Sequence, residues 1–439
     1  MSYLLKNLSI IDVESEKVFD GSIEIQGERI TQIFHGEVSK KYDEVYDMKG
    51  RFAIPGLIDM HCHIKEGFAP HFTASGVTTV RNTAGNVIEL ENLIHADNDA
   101  PTPRVYSADR MIDGPPGLWG PTSIANFVTE DPEEAKEEVR RQVSEGAQFI
   151  KVYGLLSKTV MKSVAEEAKK YNLEVSCDLI HSTVDALEAA ELGVTWFEHA
   201  SGIVQAMYQG WHMQADGFDI DWENVSQDKI DEVCKELKAC NVKLCPTLIV
   251  FDQIQLLPNS WDPENVVTQS CGLLNQSGAL NEHWKNLAEN EEMFKKHLGF
   301  LNNVTKRIAK TYHDLGGTVV TGTDCPAGVW TYPGMGLHRE LELFVEIGLT
   351  EMEALQAATN KAAESIALKQ VGLIKTDYKA DIVILEKNPL DNIENTKEIF
   401  KVIKGGKIYD QQAILRTIPS KEYLEKEYMK FEEKFSIES

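Results

Sequence analysis

The chain has 439 residues, and its 44 basic and 69 acidic side chains give a formal net charge of −25 at neutral pH. Such a charge argues against nucleic acid or an anionic membrane surface as the main partner. No apolar run approaches the roughly 18 residues that a membrane-spanning helix needs. The seven cysteines include no CxxC pair, which is typical of a reduced chain. We therefore expect a globular protein of the cytoplasm that needs neither nucleic acid nor a membrane.

Both ends of the chain are predicted to form β-strands. Short runs rich in Ile, Leu and Val, separated by glycine-containing turns, occur at 3–11, 20–34, 379–385 and 399–409. The most economical arrangement pairs the two ends in one small β domain, formed by residues 1–55 and 373–417. Residues 418–439 are rich in charge and predict a helix on the surface.

The middle of the chain alternates strands and helices. Eight short apolar runs are candidate strands: 57–63, 77–82, 104–112, 149–153, 174–179, 195–199, 242–250 and 318–324. The clearest helix begins with Asp131 as N-cap and Pro132 as its first residue. Further helices are predicted at 158–171, 183–192, 227–240 and 286–315, and from Thr350. This alternation predicts a parallel sheet, and eight strands predict a closed α/β barrel over residues 56–372.

The first barrel strand ends in two histidines. Asp59-Met-His61-Cys-His63 places both imidazoles on one side of the strand, because side chains two residues apart point the same way. Barrel enzymes carry their chemistry at these strand ends, and neutral imidazole is a favoured ligand of divalent metals. An isolated His-x-His could equally be two solvent-facing or core histidines, so the flanking sequence decides.

The flanking sequence resembles that of a known family. Pro55-Gly-Leu-Ile-Asp-Met-His-Cys-His63 looks like the strand-one signature of the amidohydrolase superfamily. Five more motifs follow in the family's order: Gly76-Val-Thr-Thr-Val80, Phe149-Ile-Lys-Val152, Phe197-Glu-His199, Gly322-Thr-Asp324 and Ala380-Asp-Ile-Val383. The most similar branch holds imidazolonepropionase-like and Xaa-Pro dipeptidase-like proteins. The resemblance implies an α/β fold, a distorted (β/α)8 TIM barrel with a small composite β-sandwich domain, and a hydrolytic site with one or two metals.

The resemblance also implies roles for residues at the strand ends. It makes His61, His63, His199 and Asp324 metal ligands, together with a carboxylated Lys151. A lysine beside two cations is pushed toward its neutral amine, which can react with carbon dioxide to give an anionic carbamate. Lys151 could instead pair with a barrel carboxylate, and Asp324 could be only a helix N-cap. The cofactors implied are one or two divalent ions, with zinc as the first candidate among Zn, Mn, Fe and Co.

Strand five departs from the family pattern. The family usually has Val-x-x-His-x-His there, whereas this chain has Val175-Ser-Cys-Asp178-Leu-Ile-His181. Counting forward from Val175 puts Asp178 at the ligand position. Counting back from His199 puts Leu179 there, with His181 at a second position that faces substrate. We favour His181 as the metal ligand, because neutral imidazole suits this metal class, and place Asp178 toward the substrate. Asp178 as the ligand, or a weakly held second metal, are the alternatives.

Six other side chains are candidates for the substrate pocket, because they lie at or after strand ends: Trp119, Tyr153, Tyr208, Trp211, His338 and Arg339. The loop aromatics could equally be ordinary anchors of their loops. Arg339 could meet a substrate carboxylate, although pairing with Glu340 or Glu342 is the simpler expectation.

The predicted function is hydrolysis of an amide-type C–N bond in a small molecule, such as a dipeptide, an N-acyl amino acid or a cyclic amide. A metal-activated hydroxide is expected to attack the carbonyl, with Asp324 as general base and then general acid. One alternative is a catalytically silent paralogue that keeps the barrel for binding or assembly. Another is hydrolysis of an ester, lactone or phosphotriester at the same site. The sequence leaves the oligomeric state open, with a homo-oligomer as one outcome.

Overall fold

Three β-sheets form the framework of the computed structural model, which describes residues 2–212, 217–271 and 275–438. In chain order the strands are β1 (Ser2–Asp12), β2 (Lys17–Gln26), β3 (Arg29–Phe34), β4 (Glu44–Pro55), β5 (Leu57–Cys62), β6 (Val77–Asn82), β7 (Arg104–Ser107), β8 (Met111–Asp113), β9 (Asn126–Val128), β10 (Ile150–Tyr153), β11 (Val175–Asp178), β12 (Trp196–Glu198), β13 (Lys243–Cys245), β14 (Thr318–Val319), β15 (Ile382–Leu385), β16 (Ile399–Lys404) and β17 (Lys407–Tyr409).

Helices lie between most of the strands in the middle of the chain. They are α1 (Ala69–Ala74), α2 (Glu91–Ile94), α3 (Pro132–Glu145), α4 (Lys158–Lys170), α5 (Ala186–Glu191), α6 (Ser201–Met207), α7 (Gln227–Ala239), α8 (Leu248–Leu256), α9 (Val266–Ser270), α10 (Asn275–Ala288), α11 (Glu291–Leu298), α12 (Leu301–Asp314), α13 (Met335–Glu346), α14 (Glu351–Ala357), α15 (Asn360–Ser365), α16 (Gln411–Leu415) and α17 (Lys421–Glu438). Short 3-10 helices occur at Glu66–Phe68 and Ile393–Lys397.

A seven-stranded mixed sheet joins the two ends of the chain, in the order β17-β16-β15-β4-β1-β2-β3. β15 pairs antiparallel with β4, so that a strand from the C-terminal part lies beside one from the N-terminal part. Leu5, Ile23 and Ile384 contribute to a buried apolar cluster on this sheet. The sheet is consistent with a composite β domain, and the domain boundaries stay predictions.

Two further sheets are parallel. One has the strand order β14-β13-β12-β11-β10-β8-β9, and the other has the order β5-β6-β7. Backbone hydrogen bonds from the strands or the residues next to them connect the two sheets: among them, Met60 N–H donates to Thr321 O at 2.9 Å, and Gln148 N–H donates to Ser107 O at 2.9 Å. The α/β class with parallel sheets is therefore confirmed. The described strands do not form one continuous ladder, so closure into a barrel stays a prediction.

The predicted strand at 242–250 is wrong in its second half, because β13 is short and α8 follows it. Thr247 takes the left-handed conformation, with a φ of 47°. The buried Glu340 carboxylate accepts the N–H groups of Leu248 and Ile249 at 3.0 and 2.8 Å. These bonds satisfy donors that the first turn of a helix leaves free, so the apolar run forms a buried helix.

Three other predicted elements are divided in the structure. The strand predicted at 104–112 is split into β7 and β8, and the helix predicted at 286–315 is shared among α10, α11 and α12. Gly299, a poor helix former, lies between α11 and α12. Of the strand predicted at 318–324, only β14 pairs with a neighbouring strand of its sheet. The residues after β14 form backbone hydrogen bonds with β5 instead; for example, Thr323 N–H donates to His61 O at 2.9 Å.

The last helix, α17, lies on the surface beside the segments that follow β5 and β6. Its Phe431 is buried, whereas Met429 is 59% exposed. The Tyr423 hydroxyl donates to Glu66 at 2.9 Å. In the described part of the chain, no helix combines the length and the apolarity that crossing a membrane demands.

Gly322 allows the segment after β14 to lie close against β5. A Cβ atom at Gly322 would lie 2.4 Å from Cys245 Sγ and 2.7 Å from His61 Cβ. Both distances are far shorter than van der Waals contact, so a larger residue would push β5 or β13 aside. The glycine therefore permits the approach that brings Asp324 beside His61.

Replacing Gly322 with alanine is expected to destabilise the protein by about 1–3 kcal/mol, the usual cost of overpacking a core. The free energy of unfolding, measured by urea denaturation, tests this. Gly36→Ala is the matched control, because a Cβ atom at Gly36 would meet nothing within 4 Å. Equal stability of the two variants would contradict the close packing at Gly322.

Candidate metal centre

Three donor side chains converge at the C-terminal end of β5. His61 and His63 lie on one side of the strand, as their spacing predicts, and Asp324 comes from the segment after β14. The Nε2 atoms of His61 and His63 lie 3.1 and 2.9 Å from the same oxygen, Asp324 Oδ1. One donor atom of each residue lies within 4.8 Å of the other two. Imidazole nitrogen and carboxylate oxygen are common ligands of divalent zinc, so this cluster can hold such an ion.

The surroundings of Asp324 keep its carboxyl group ionised. Burial alone would raise the pKa of Asp324, but hydrogen bonds from His61 and His63, and their charges, lower it well below its ordinary value. The side chains of Asp324 and His63 are 14% and 22% exposed, so the cluster is open to solvent on this side. An ionised and partly accessible carboxylate can both ligate a metal and exchange a proton with a substrate.

Three residues of the site adopt backbone conformations that glycine takes most easily. Asp324, His199 and Thr247 have φ values of 54°, 61° and 47°, in the left-handed region. Such conformations cost on the order of 1–3 kcal/mol each and concentrate at functional sites. Each of these residues follows a strand of the parallel sheet, so the strained turns lie at the end of the sheet where the metal ligands are predicted.

His199 lies beside His61, with the two ring centroids 5.0 Å apart. The Thr247 hydroxyl donates to Pro246 O at 2.8 Å, and its oxygen lies 2.5 Å from His199 Nδ1, so that it accepts the Nδ1–H. The Nε2 atom of His199 then faces Asp178 Oδ2 at 3.6 Å. Burial lowers the pKa of His199, which favours the neutral imidazole that a metal requires.

Asp178, at the end of β11, lies where the strand-five ligand is expected. It is level with Tyr153 in the ladder between β10 and β11, and its carboxylate faces His199. His181 lies three residues further along, half-buried in the turn that follows the strand. Asp178 thus lies at the strand end beside His199, whereas His181 lies in the turn beyond it, and the choice between the two as metal ligand stays a prediction.

Lys151 lies in β10 with a buried amine. Only 1% of the residue is exposed, and among the described atoms Nζ has no hydrogen-bond partner. No ion pair joins Lys151 to a carboxylate of the described residues, and Nζ lies 5.4 Å from the centre of the Tyr153 ring. A buried ammonium group without an acceptor is costly. The position therefore suits a partner that supplies negative charge, or a reaction that removes the positive charge of the amine.

Glu198 is a residue of the site that the sequence patterns did not single out. His61 Nδ1–H donates to Glu198 Oε2 at 2.7 Å. Burial would lower the pKa of His61, but the negative charge of Glu198 and the hydrogen bond with Asp324 raise it to about 9. The available signal was an acidic side chain in the otherwise apolar strand Trp196-Phe197-Glu198.

Asp59 is a second such residue, and it ties β5 to the segment that carries Asp324. Its carboxylate accepts the N–H of His61 at 3.2 Å, the N–H of Thr323 at 3.1 Å and the Thr323 hydroxyl at 2.6 Å. Burial raises the pKa of Asp59 to about 7. The spacing Asp-x-His-x-His was the signal, because it puts Asp59 on the same side of β5 as both histidines.

Tyr153 and Trp119 are the predicted pocket residues that lie near the cluster. Burial raises the pKa of Tyr153 well above its usual value, and the charges of Asp178 and Asp324 raise it further. The phenol therefore stays protonated close to both carboxylates, and the nearby Trp119 side chain offsets only a small part of this rise in pKa. Trp119 is 64% exposed, so the pair lies between the cluster and the solvent.

Tyr208 and Trp211 are held in an aromatic cluster of their own. The Trp211 ring packs against Trp222 and Phe300, at centroid distances of 5.1 and 6.0 Å. The Tyr208 ring also contacts Trp222, at 5.9 Å, and Lys229 lies 4.9 Å from its centre. These contacts fit the alternative in which both residues anchor their loop.

His338 and Arg339 are occupied by contacts within the protein. The Nδ1 atom of His338 lies 2.9 Å from Thr396 Oγ1, and its Nε2 lies 3.0 Å from Ser75 O. Arg339 donates to three carboxylates: Asp252, Glu342 and Glu346. The pairing of Arg339 with Glu342 fits the simpler expectation for that residue, and contact of His338 or Arg339 with substrate stays a prediction.

Comparisons with known proteins place this chain among similar sequences and folds. The profile of the Amidohydrolase family matches residues 52–409. Ochratoxinase of Aspergillus niger is 24% identical to this chain over an alignment of 445 positions. The alignment covers 85% of this chain and 79% of that protein. Among solved structures, a Xaa-Pro dipeptidase with bound methionine in the active site has a TM-score of 0.70 and 20% identity, covering 93% of this chain and 100% of that one. The structure of A. niger ochratoxinase has a TM-score of 0.66 and 20% identity, covering 93% of this chain and 95% of its own.

The resemblance inferred from the motifs is thereby confirmed. The matched region begins just before β5 and ends at β17, so it contains all the residues that converge at the candidate site. Because the profile spans most of the sequence, this chain belongs to the amidohydrolase family.

Proposed function

We propose that this protein is a metal-dependent hydrolase that cleaves an amide-type C–N bond in a small molecule. The observation that carries the proposal is the convergence of His61, His63 and Asp324, whose donor atoms lie within 4.8 Å of one another. Membership of the amidohydrolase family supports the hydrolytic reaction. The likeness to a Xaa-Pro dipeptidase supports a substrate of the size of a dipeptide.

The donor set fits one or two divalent metal ions. We assign His61, His63, His199 and Asp324 as ligands, with Asp178 at the strand-five position. Nitrogen and carboxylate donors make zinc the first candidate, and the same set accepts manganese, iron or cobalt.

Lys151 fits the role of a carboxylated ligand. Its buried amine without a hydrogen-bond partner marks a place where a further group is needed. In the neutral form, Nζ would form a bond to the carbon of carbon dioxide and lose one proton. The resulting carbamate is an anion, so it would replace a costly buried cation with an oxygen ligand.

Asp324 is assigned the proton transfers of the reaction. A bound divalent ion would lower the pKa of a coordinated water and polarise the substrate carbonyl. The hydrogen bonds of His61 and His63 lower the pKa of Asp324 and keep it ionised, which is the form that can accept the proton of the attacking water. The same group then donates that proton to the leaving nitrogen as the C–N bond breaks. Tyr153 and Trp119 are assigned to the wall of the substrate pocket.

We further propose that the two parallel sheets close into a (β/α)8 barrel around this site. The hydrogen bonds from Met60 to Thr321 and from Gln148 to Ser107 support closure, because they connect the sheets on both sides of the three-stranded sheet. The free state of all seven cysteines is compatible with a reduced, cytoplasmic enzyme.

Hydrolysis should be found in a panel of Xaa-Pro dipeptides, Xaa-Arg dipeptides and N-acyl amino acids, assayed beside their ester analogues. Activity should disappear when a chelator removes the metal and return when zinc, manganese or cobalt is added. Asp324→Asn should lower kcat by about 10²–10⁴-fold, the usual contribution of general acid–base catalysis. Release of the free amine, measured by chromatography, reports the reaction.

Asp109→Asn is the matched control for this test, because Asp109 is a fully buried aspartate that is paired with Arg141, a residue outside the cluster. It should keep the metal content and activity of the unchanged protein. Cleavage of the esters alone would contradict the assigned bond, and protein without bound metal would favour a silent paralogue.

Asp178→Asn should weaken binding of one metal equivalent, whereas His181→Asn should leave the metal content unchanged. The reason is that Asp178 faces His199 at the end of β11 and His181 lies beyond it in the turn. Metal content after dialysis, measured by elemental analysis, distinguishes the two residues. The reverse pattern would restore His181 as the strand-five ligand.

A further inference from the structure

We propose that Glu198 is a positioning residue that holds His61 with its Nε2 atom toward the metal. The inference rests on the proposed metal-dependent function. It adds to that function a buried carboxylate that touches neither the metal nor the substrate.

The contact between Glu198 and His61 fixes which ring nitrogen can bind a metal. Glu198 Oε2 accepts the Nδ1–H of His61 at 2.7 Å, and the Nε2 of the same ring lies 3.1 Å from Asp324 Oδ1. An imidazole that donates from Nδ1 must use Nε2 as its metal ligand. Carboxylates in this relation to a metal-binding histidine set its orientation and raise its basicity.

The Glu198 carboxylate is itself held by two other donors. Its second oxygen, Oε1, accepts Arg81 Nη1 at 2.7 Å and the Ser176 hydroxyl at 2.5 Å. The Arg81 guanidinium lies between the rings of Phe149 and Trp196, 4.1 and 4.2 Å from their centroids. Since the side chains of Arg81 and Glu198 are 1% and 0% exposed, the carboxylate has little freedom to turn away from His61.

Arg81 also limits the electrostatic effect of Glu198 on the site. Its positive charge balances the negative charge of the carboxylate, so the pair adds no net charge beneath the metal ligands. Besides the effect of its charge on His61 described above, Glu198 therefore contributes the position and the hydrogen bond of the imidazole ring. A buried ion pair such as that of Glu198 with Arg81 contributes little net stability. Holding His61 in place is therefore a more specific explanation for Glu198 than stabilisation of the fold.

The same hydrogen bonds also involve a second group of side chains that could hold a metal ion. His61, Glu198 and Cys245 each have a ligand atom within 4.8 Å of the others. A metal at this place would have to displace the proton on Nδ1 and compete with Arg81 for the carboxylate. The network therefore directs a metal to the other side of the His61 ring, where His63 and Asp324 lie.

Glu198→Gln tests this role in the whole 439-residue chain. The amide has one accepting oxygen, so either His61 or Arg81 loses its acceptor. Affinity for zinc, measured by competition with a chromogenic chelator, should fall by about 10–100-fold, as is usual when such a partner of a metal-binding histidine is lost. Glu138→Gln is the matched control, because Glu138 is also a buried carboxylate, paired with Arg110 at 2.7 Å and not in contact with a proposed ligand; it should retain the zinc affinity of the unchanged protein.

A second measurement needs no change at Glu198. In zinc-loaded protein labelled with ¹⁵N-histidine, the nuclear magnetic resonance signal of His61, assigned by its loss in His61→Asn, should show a proton on Nδ1 and metal at Nε2. Equal zinc affinity of Glu198→Gln and Glu138→Gln, or a His61 protonated on Nε2, would overturn the inference. If the unchanged protein binds no zinc, the proposed function fails first; zinc binding that Glu198→Gln leaves intact refutes only the role of Glu198.

Discussion

The site depends on one contact, in which a single oxygen of Asp324 lies between the Nε2 atoms of His61 and His63. The two histidines come from one strand, so the pleat of β5 aligns them. Asp324 comes from a segment more than 250 positions later in the chain. Three features bring it there: the missing side chain at Gly322, the left-handed turn at Asp324, and the hydrogen bonds of Asp59 to Thr323.

The buried charged groups near this contact are of two kinds: an ion pair whose charges cancel, and a lysine that has no partner among the described atoms. Glu198 and Arg81 neutralise each other between aromatic rings. Lys151 is the contrasting case, because its buried amine has no acceptor among the described atoms. A protein can hold such a group only if another interaction offsets its desolvation. The proposed carbamate and metal would supply that interaction, which links the chemistry of the site to the energetics of the fold.

The sequence predicts most of the site and less of its surroundings. His61 and His63 follow from the two-residue period of a strand, and the family motifs bring in the ligands from distant strands. Counting cannot place an inserted residue: it gives Asp178 from one side and Leu179 from the other, and His181 was favoured only on ligand chemistry. In the structure Asp178 is the one of the three that faces His199. The partner of His61 Nδ1 was also missed, because nothing in a linear pattern shows that Glu198 meets a ring 137 positions away.

The candidate pocket residues show a second reason why the sequence does not predict the whole site. Trp211 and Tyr208 follow a strand end, which made them candidates for the pocket, yet their rings pack against other loop aromatics. His338 lies on the helix after the last strand of the parallel sheet, but both of its ring nitrogens have partners from distant parts of the chain. A residue that follows a strand in the sequence starts near the end of that strand. Which residues its side chain then contacts depends on the fold of the loop, which the sequence pattern does not show.

Anomalous X-ray diffraction from crystals grown with manganese tests the central claim most directly. The account predicts a peak within bonding distance of His61 Nε2, His63 Nε2 and Asp324, together with added electron density on Lys151 Nζ. A map without a peak there, or with the metal bound instead by Glu198 and Cys245, would contradict it.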